Sequence, residues 1–98
     1  MIKTVVDVSY VDLNNNNKVK VWWTPELIQH LKVSLATFKR DREILICEVP
    51  EFQYFRYAKT YSDFQRHCLE VIRDWRREGL NKLQIIQKLR KEGMAKYE

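Results

Sequence analysis

Glycine is scarce in this chain. Its 98 residues include two, and proline and cysteine are also present twice each. So few glycines exclude a glycine-rich phosphate loop and the tight elbow that carries a hydrolase nucleophile. Cys47 and Cys68 stand alone inside apolar patterns. They therefore read as buried free thiols rather than as a bridge. A zinc site needs a cluster of ligands that the sequence does not offer, so no metal or cofactor is expected. No run approaches the roughly 18 apolar residues of a membrane span. The opening Met1-Ile2-Lys3-Thr4 lacks the basic-then-apolar layout of a signal peptide, which predicts a cytoplasmic location.

The two glycines recur in one phrase. Arg76-Arg77-Glu78-Gly79-Leu80-Asn81-Lys82 is echoed by Arg90-Lys91-Glu92-Gly93-Met94-Ala95-Lys96. Glycine after a basic turn, followed by an apolar residue, marks the left-handed stop of a helix. Basic side chains there suit the negative end of the macrodipole. The phrase predicts two helix ends and hence a C-terminal helical pair.

Composition favours a packed fold over disorder: 45% of residues are apolar, 32% are charged, and aromatics are plentiful. Residues 1–98 are long enough for one domain that folds without metal or disulfide. The net charge of +5 points to acidic partners such as nucleic acid or an acidic protein face.

Ile2 to Leu13 alternates and is rich in β-branched residues, Asn14 to Asn17 is a turn, and Lys18 to Trp23 alternates again. Together they predict a β-hairpin. Thr24-Pro25-Glu26 reads as a helix start, with Thr24 as cap. Leu27, Leu31, Leu35 and Phe38 then carry one helix to about Lys39. Glu43 to Val49 reads as a strand buried on both faces, and Phe52 to Tyr57 as an exposed edge strand after Pro50. A second helix opens at Thr60 or Ser62. Its apolar stripe is Tyr61, Phe64, Cys68, Ile72 and Trp75, and Gly79 ends it. Asn81 caps a third helix whose inner face is Leu83, Ile86 and Leu89, with Ile85 beside them. The expected class is α+β: a small, mainly antiparallel sheet with three helices.

Arg66, Arg73 and Arg77 share one stripe of the long helix, spaced to track a phosphate backbone. Asp63, Glu70 and Asp74 line the adjacent stripe, so a self-paired solvated face is the competing reading. On the last helix Gln84, Gln87, Lys88 and Lys91 share an outer face without an intervening acid. Such residues suit base-edge and phosphate contacts, and they are also ordinary surface helix formers. Glu78 to Met94 resembles the first helix of the helix-turn-helix units of recombinases and transposases in its glycine, apolar and asparagine-cap rhythm. With the chain ending at Glu98, no recognition helix is expected after Gly93, and no function is carried over.

Phe52, Tyr54, Phe55, Arg56, Tyr57, Lys59 and Tyr61 mix aromatics with cations. On a strand, Tyr54 and Arg56 would share a face able to stack single-stranded bases, or to pack a core or a dimer interface. Of Trp22 and Trp23, one should enter the core while the other lies half exposed. Asp7, Asp12 and Glu48 are the carboxylates on predicted strands. Asp7 and Asp12 would point to opposite faces, and the glutamate–variable–lysine element of small nucleases is missing after Glu48, so no catalytic residue is assigned.

The reading that follows is a non-enzymatic basic binding protein, a regulator contacting nucleic acid or a nucleic-acid-bearing complex. Its size fits a small regulator from a virus or other mobile element. The alternative is an inhibitor or adaptor that binds an acidic protein surface. A metal-dependent nuclease is a distant third. Three Trp, five Tyr and four Phe exceed what one small core hides, which predicts a homodimer, and without a long apolar run no membrane partner is expected.

Overall fold

The computed structural model describes residues 20–97. The fold is α+β: among the described residues, a two-stranded antiparallel sheet with four α-helices. Strand β1 (Val21–Trp23) leads directly into α1 (Thr24–Leu31), and α2 (Leu35–Glu48) follows. A 3-10 turn at Pro50–Phe52 opens a loop to β2 (Thr60–Ser62). Helices α3 (Asp63–Arg77) and α4 (Lys82–Glu92) complete the order.

The expected hairpin lies almost wholly outside the described residues. What is described of it, β1, pairs with β2 in the register Val21 to Ser62, Trp22 to Tyr61 and Trp23 to Thr60. Period-2 geometry sends Trp22 and Tyr61 inward and Trp23 outward. Of the two tryptophans, Trp22 packs against the core and Trp23 is exposed, as the sequence suggests.

The single helix expected from Thr24 to Lys39 is two helices. Lys32 adopts φ 58° and ψ 46°, closing α1 with its N–H on the Ile28 and Gln29 carbonyls. Ser34 then caps a new helix by accepting the Thr37 N–H at 3.1 Å. Thr24 does not cap α1. Its hydroxyl donates to the Lys59 carbonyl at 3.0 Å, and Glu26 accepts the Trp23 N–H.

The strand expected over Glu43–Val49 is the second half of α2. Phe38, Asp41 and Leu45 are buried at helical spacing, while Ile46 and Cys47 face out, so the run is buried on one side only. A four-residue apolar run does not distinguish helix from strand by itself, and the cap at Ser34 decides it. The edge strand expected over Phe52–Tyr57 is also absent. Gln53 has a left-handed φ of 49°, and the Gln65 side chain donates to the Phe52 and Gln53 carbonyls at 2.6 and 3.3 Å. These side-chain bonds satisfy backbone groups that a strand would have paired.

Ser62 caps α3, accepting the Gln65 N–H while Gln65 returns a bond to the Ser62 N–H at 2.7 Å. The apolar stripe holds: Tyr61, Cys68 and Ile72 are buried, and Phe64 and Trp75 pack against the core edge. Gly79 takes φ 104° beyond the end of α3, and Leu80 packs beside it. The inner face of α4 is rotated from the expected one. Ile85 and Leu89 are buried, Ile86 is half buried, and Leu83 is 62% exposed. Helix α2 meets both α3 and α4, so the core is a helical layer with the β1–β2 ribbon at the start of α3. Each fully buried Leu, Ile or Phe there contributes about 1.5–3 kcal/mol relative to its exposed state.

Candidate nucleic-acid interface

The structure separates the predicted basic stripe of α3. Arg66 is used internally: Nε and Nη2 donate to Asp63 at 3.0 and 2.8 Å, and Nη1 reaches Glu70 at 3.0 Å. Glu70 also meets His30 of α1 at 2.5 Å. Arg73 donates twice to Asp74, and Arg77 donates to the Leu31 carbonyl at 3.3 Å. Arg73 and Arg77 nonetheless line one recess together with Arg76, whereas Arg66 lies with the Asp63 group.

Asp63, the first residue of α3, joins three parts of the chain. It accepts from Arg66, from the Trp22 indole at 2.9 Å and from the Tyr97 hydroxyl at 2.7 Å. These donors hold its carboxyl far below the usual carboxylate range, with the Arg66 bonds the largest cause. The C-terminal tail is tied down at a second point, where His67 Nε2 meets the Ala95 carbonyl at 2.8 Å.

On α4 the predicted outer face divides. Gln84 forms the capping pair with Asn81, its N–H and side chain both bonded at 2.9 Å. Lys88 lies 5.1 Å over the Trp75 ring and pairs with Glu92 at 3.1 Å. Gln87 and Lys91 remain exposed. The neighbouring Arg90 pairs with Glu48 through two bonds near 3 Å, which lowers the Glu48 pKa.

Tyr54 is half buried, not presented on a strand face. It stacks on Tyr61 at 6.4 Å and 22°, lies under the Arg42 guanidinium at 4.7 Å, and donates its hydroxyl to the Arg56 carbonyl. The exposed aromatics are its neighbours. Phe55 is 68% exposed and Tyr57 is 86% exposed, with the Arg56 guanidinium 5.6 Å from the Tyr57 ring. The Ala58 N–H closes this segment as a turn on the Phe55 carbonyl at 3.0 Å. The Lys59 carbonyl then takes both the backbone N–H and the hydroxyl of Thr24. That clamp ties the turn to the β1–α1 junction, where Trp23 is 59% exposed on the outer side of the ribbon. Lys20, just before β1, sits 4.3 Å over the Trp22 ring.

The exposed rings at this junction are Trp23, Phe55 and Tyr57, and the exposed cations of the same segment are Arg56 and Lys59. Sequence reasoning named Phe55, Tyr57 and Lys59 in its cluster but chose Tyr54, because it read the segment as a strand. Among the described residues no three His, Cys, Asp or Glu side chains gather to hold a metal ion. Asp7 and Asp12 lie outside the described residues. Among the described residues no helix is long and apolar enough to cross a membrane. No family model, curated protein or solved structure matches this chain.

Proposed function

We propose that the chain is a non-enzymatic regulator that binds nucleic acid, holding single-stranded bases on Trp23, Phe55 and Tyr57. One observation carries this reading: Phe55 and Tyr57 stand exposed on one turn with Arg56 between them, and the Lys59 carbonyl clamps that turn to the junction where Trp23 is also exposed. Water-exposed rings are costly unless something covers them, and every base offers a π-face for stacking. The flanking cations supply the attraction to phosphate that makes such binding salt-dependent. Lys91 of α4 is a further exposed cation. The test is binding of labelled single-stranded and duplex oligonucleotides by the parent and by Tyr57→Ala and Phe55→Ala. Each truncation should weaken single-strand binding by about 1–3 kcal/mol.

A protein-binding reading draws on the same rings. An acidic protein surface would meet Arg56 and Lys59, and a second copy of the chain would cover Trp23 and the adjoining Val21. Light scattering decides for the homodimer if the mass doubles and the rings are protected without nucleic acid.

A further inference from the structure

We propose that the recess between the first turn of α2 and the last turns of α3 is a phosphate-binding seat, formed by Arg73, Arg76, Arg77 and Thr37. The recess encloses about 150 Å³ and is lined by these four residues with Val33 and Asp41. Positions 73, 76 and 77 fall on one face of α3, and all three arginines line the recess, with Asp41 as its lining carboxylate and Asp74 bonded to Arg73. Two of the three are positioned from below. The Arg76 Nε is held by buried Asp41 at 2.5 Å, and Arg77 is held by the Leu31 carbonyl at the end of α1.

These bonds occupy one nitrogen on each of Arg76 and Arg77, leaving further N–H donors on each planar fork. Arg73 spends Nε and Nη2 on Asp74 and keeps Nη1. Thr37 contributes a hydroxyl. Its oxygen already accepts from the Ser34 hydroxyl at 3.1 Å, so its own proton can be donated to a ligand. Thr37 also lies in the first turn of a 14-residue helix, with Val33 just before its cap Ser34, and the positive end of that helix favours an anion. Guanidinium forks match the oxygens of a phosphate, and charge-assisted bonds of this kind are the strong ones. Arginines at the end of α3 also suit its dipole, but that role requires neither a shared recess nor a buried carboxylate beneath one of them.

The ligand chemistry is a phosphate group, and two sources supply it: a nucleic-acid backbone, or a free phosphate or small phosphate ester. The seat stands apart from the stacking site. Full-length protein labelled on arginine Nε should be titrated with inorganic phosphate and followed by NMR. The Nε signals of Arg73, Arg76 and Arg77 and the amide of Thr37 should move together and saturate. Arg73→Gln combined with Arg77→Gln should weaken phosphate binding about tenfold or more, while Lys82→Gln, at an exposed lysine outside the recess, should leave it unchanged. Both substitutions leave the Arg76–Asp41 pair intact, and a melting curve checks that the fold survives. If phosphate shifts are scattered over surface lysines, or the double variant binds phosphate as the parent does, the seat is refuted. An oligonucleotide arm separates the sources. Weaker oligonucleotide binding by the double variant assigns the seat to the backbone. Unchanged oligonucleotide binding with lost phosphate binding assigns it to a free phosphate. Phosphate binding without any oligonucleotide binding keeps the seat and removes the nucleic-acid reading.

Discussion

The Tyr97 hydroxyl donates to the Asp63 carboxylate at 2.7 Å, across 34 residues of sequence. The same carboxylate takes the Trp22 indole and the Arg66 guanidinium. One side chain at the start of α3 therefore ties together the ribbon, the helix and the C-terminal tail. Tyr97→Phe should cost about 1 kcal/mol and Asp63→Asn about 2 kcal/mol in urea unfolding, because the second also weakens bonds to a charged acceptor. The folded carboxyl titrates below its unfolded value, so its contribution is present above the ordinary Asp pKa of about 3.9 and is lost as pH falls below it. Asp63→Asn should flatten that acid-side loss.

Asp41 and Arg76 behave with the opposite sign. Burial raises the Asp41 pKa despite the bond and charge of Arg76. Its ionised form is therefore a burden that grows as pH rises through the window above about 3.9. Arg76→Gln leaves this carboxylate buried without its cation and should cost about 3 kcal/mol at neutral pH. Chemical denaturation at descending pH should show that variant regaining stability as Asp41 protonates, before general acid unfolding begins.

Gly79 tests the helix stop. At φ 104° its backbone is strained for any residue with a Cβ, yet nothing lies within 4 Å of where a Cβ would stand. Gly79→Ala should therefore cost about 1–2 kcal/mol through backbone conformation alone, with no repacking of the core. Thermal melts and an unchanged near-UV spectrum would report both halves of that expectation.

The cysteines differ in access. Cys68 is buried, and burial pushes its thiol up to about 12, while Cys47 is exposed on α2. Thiolate is the reactive form, so a thiol reagent at neutral pH should label Cys47 in the native protein and Cys68 only after unfolding.

The element boundaries of the C-terminal half were legible from its residues because caps, stripe and stop agreed there, although the inner face of α4 turned out to be Ile85 and Leu89 with Leu83 exposed. Ser62 and Asn81 cap, the Tyr61–Trp75 stripe repeats at helical spacing, and Gly79 stops. Between Lys32 and Thr60 the local signals conflicted. Leu35 continues the spacing of Leu27 and Leu31, yet Lys32 turns left-handed and Ser34 starts a new helix, leaving Leu35 exposed. The Phe52–Tyr57 aromatics alternate like a strand, but the long-range bonds from Gln65 to Phe52 and Gln53 hold that segment in a turn. Sequence spacing has no access to such a partner. The same limit affected the candidate site. Three arginines at helical spacing were visible, but Arg66 is bound by Asp63 and Glu70, while Arg76, held by Asp41 from outside α3, lines the recess with Arg73 and Arg77.

The most direct test of the nucleic-acid reading is tryptophan fluorescence during titration with a single-stranded oligonucleotide at low and at raised salt. Stacking on exposed Trp23 should quench the signal, with an affinity that falls steeply as salt rises. Trp23→Phe should retain binding but lose most of the quenching, and Tyr57→Ala should weaken both. Unchanged fluorescence together with no binding at low salt would contradict the account and leave the exposed rings to a protein partner.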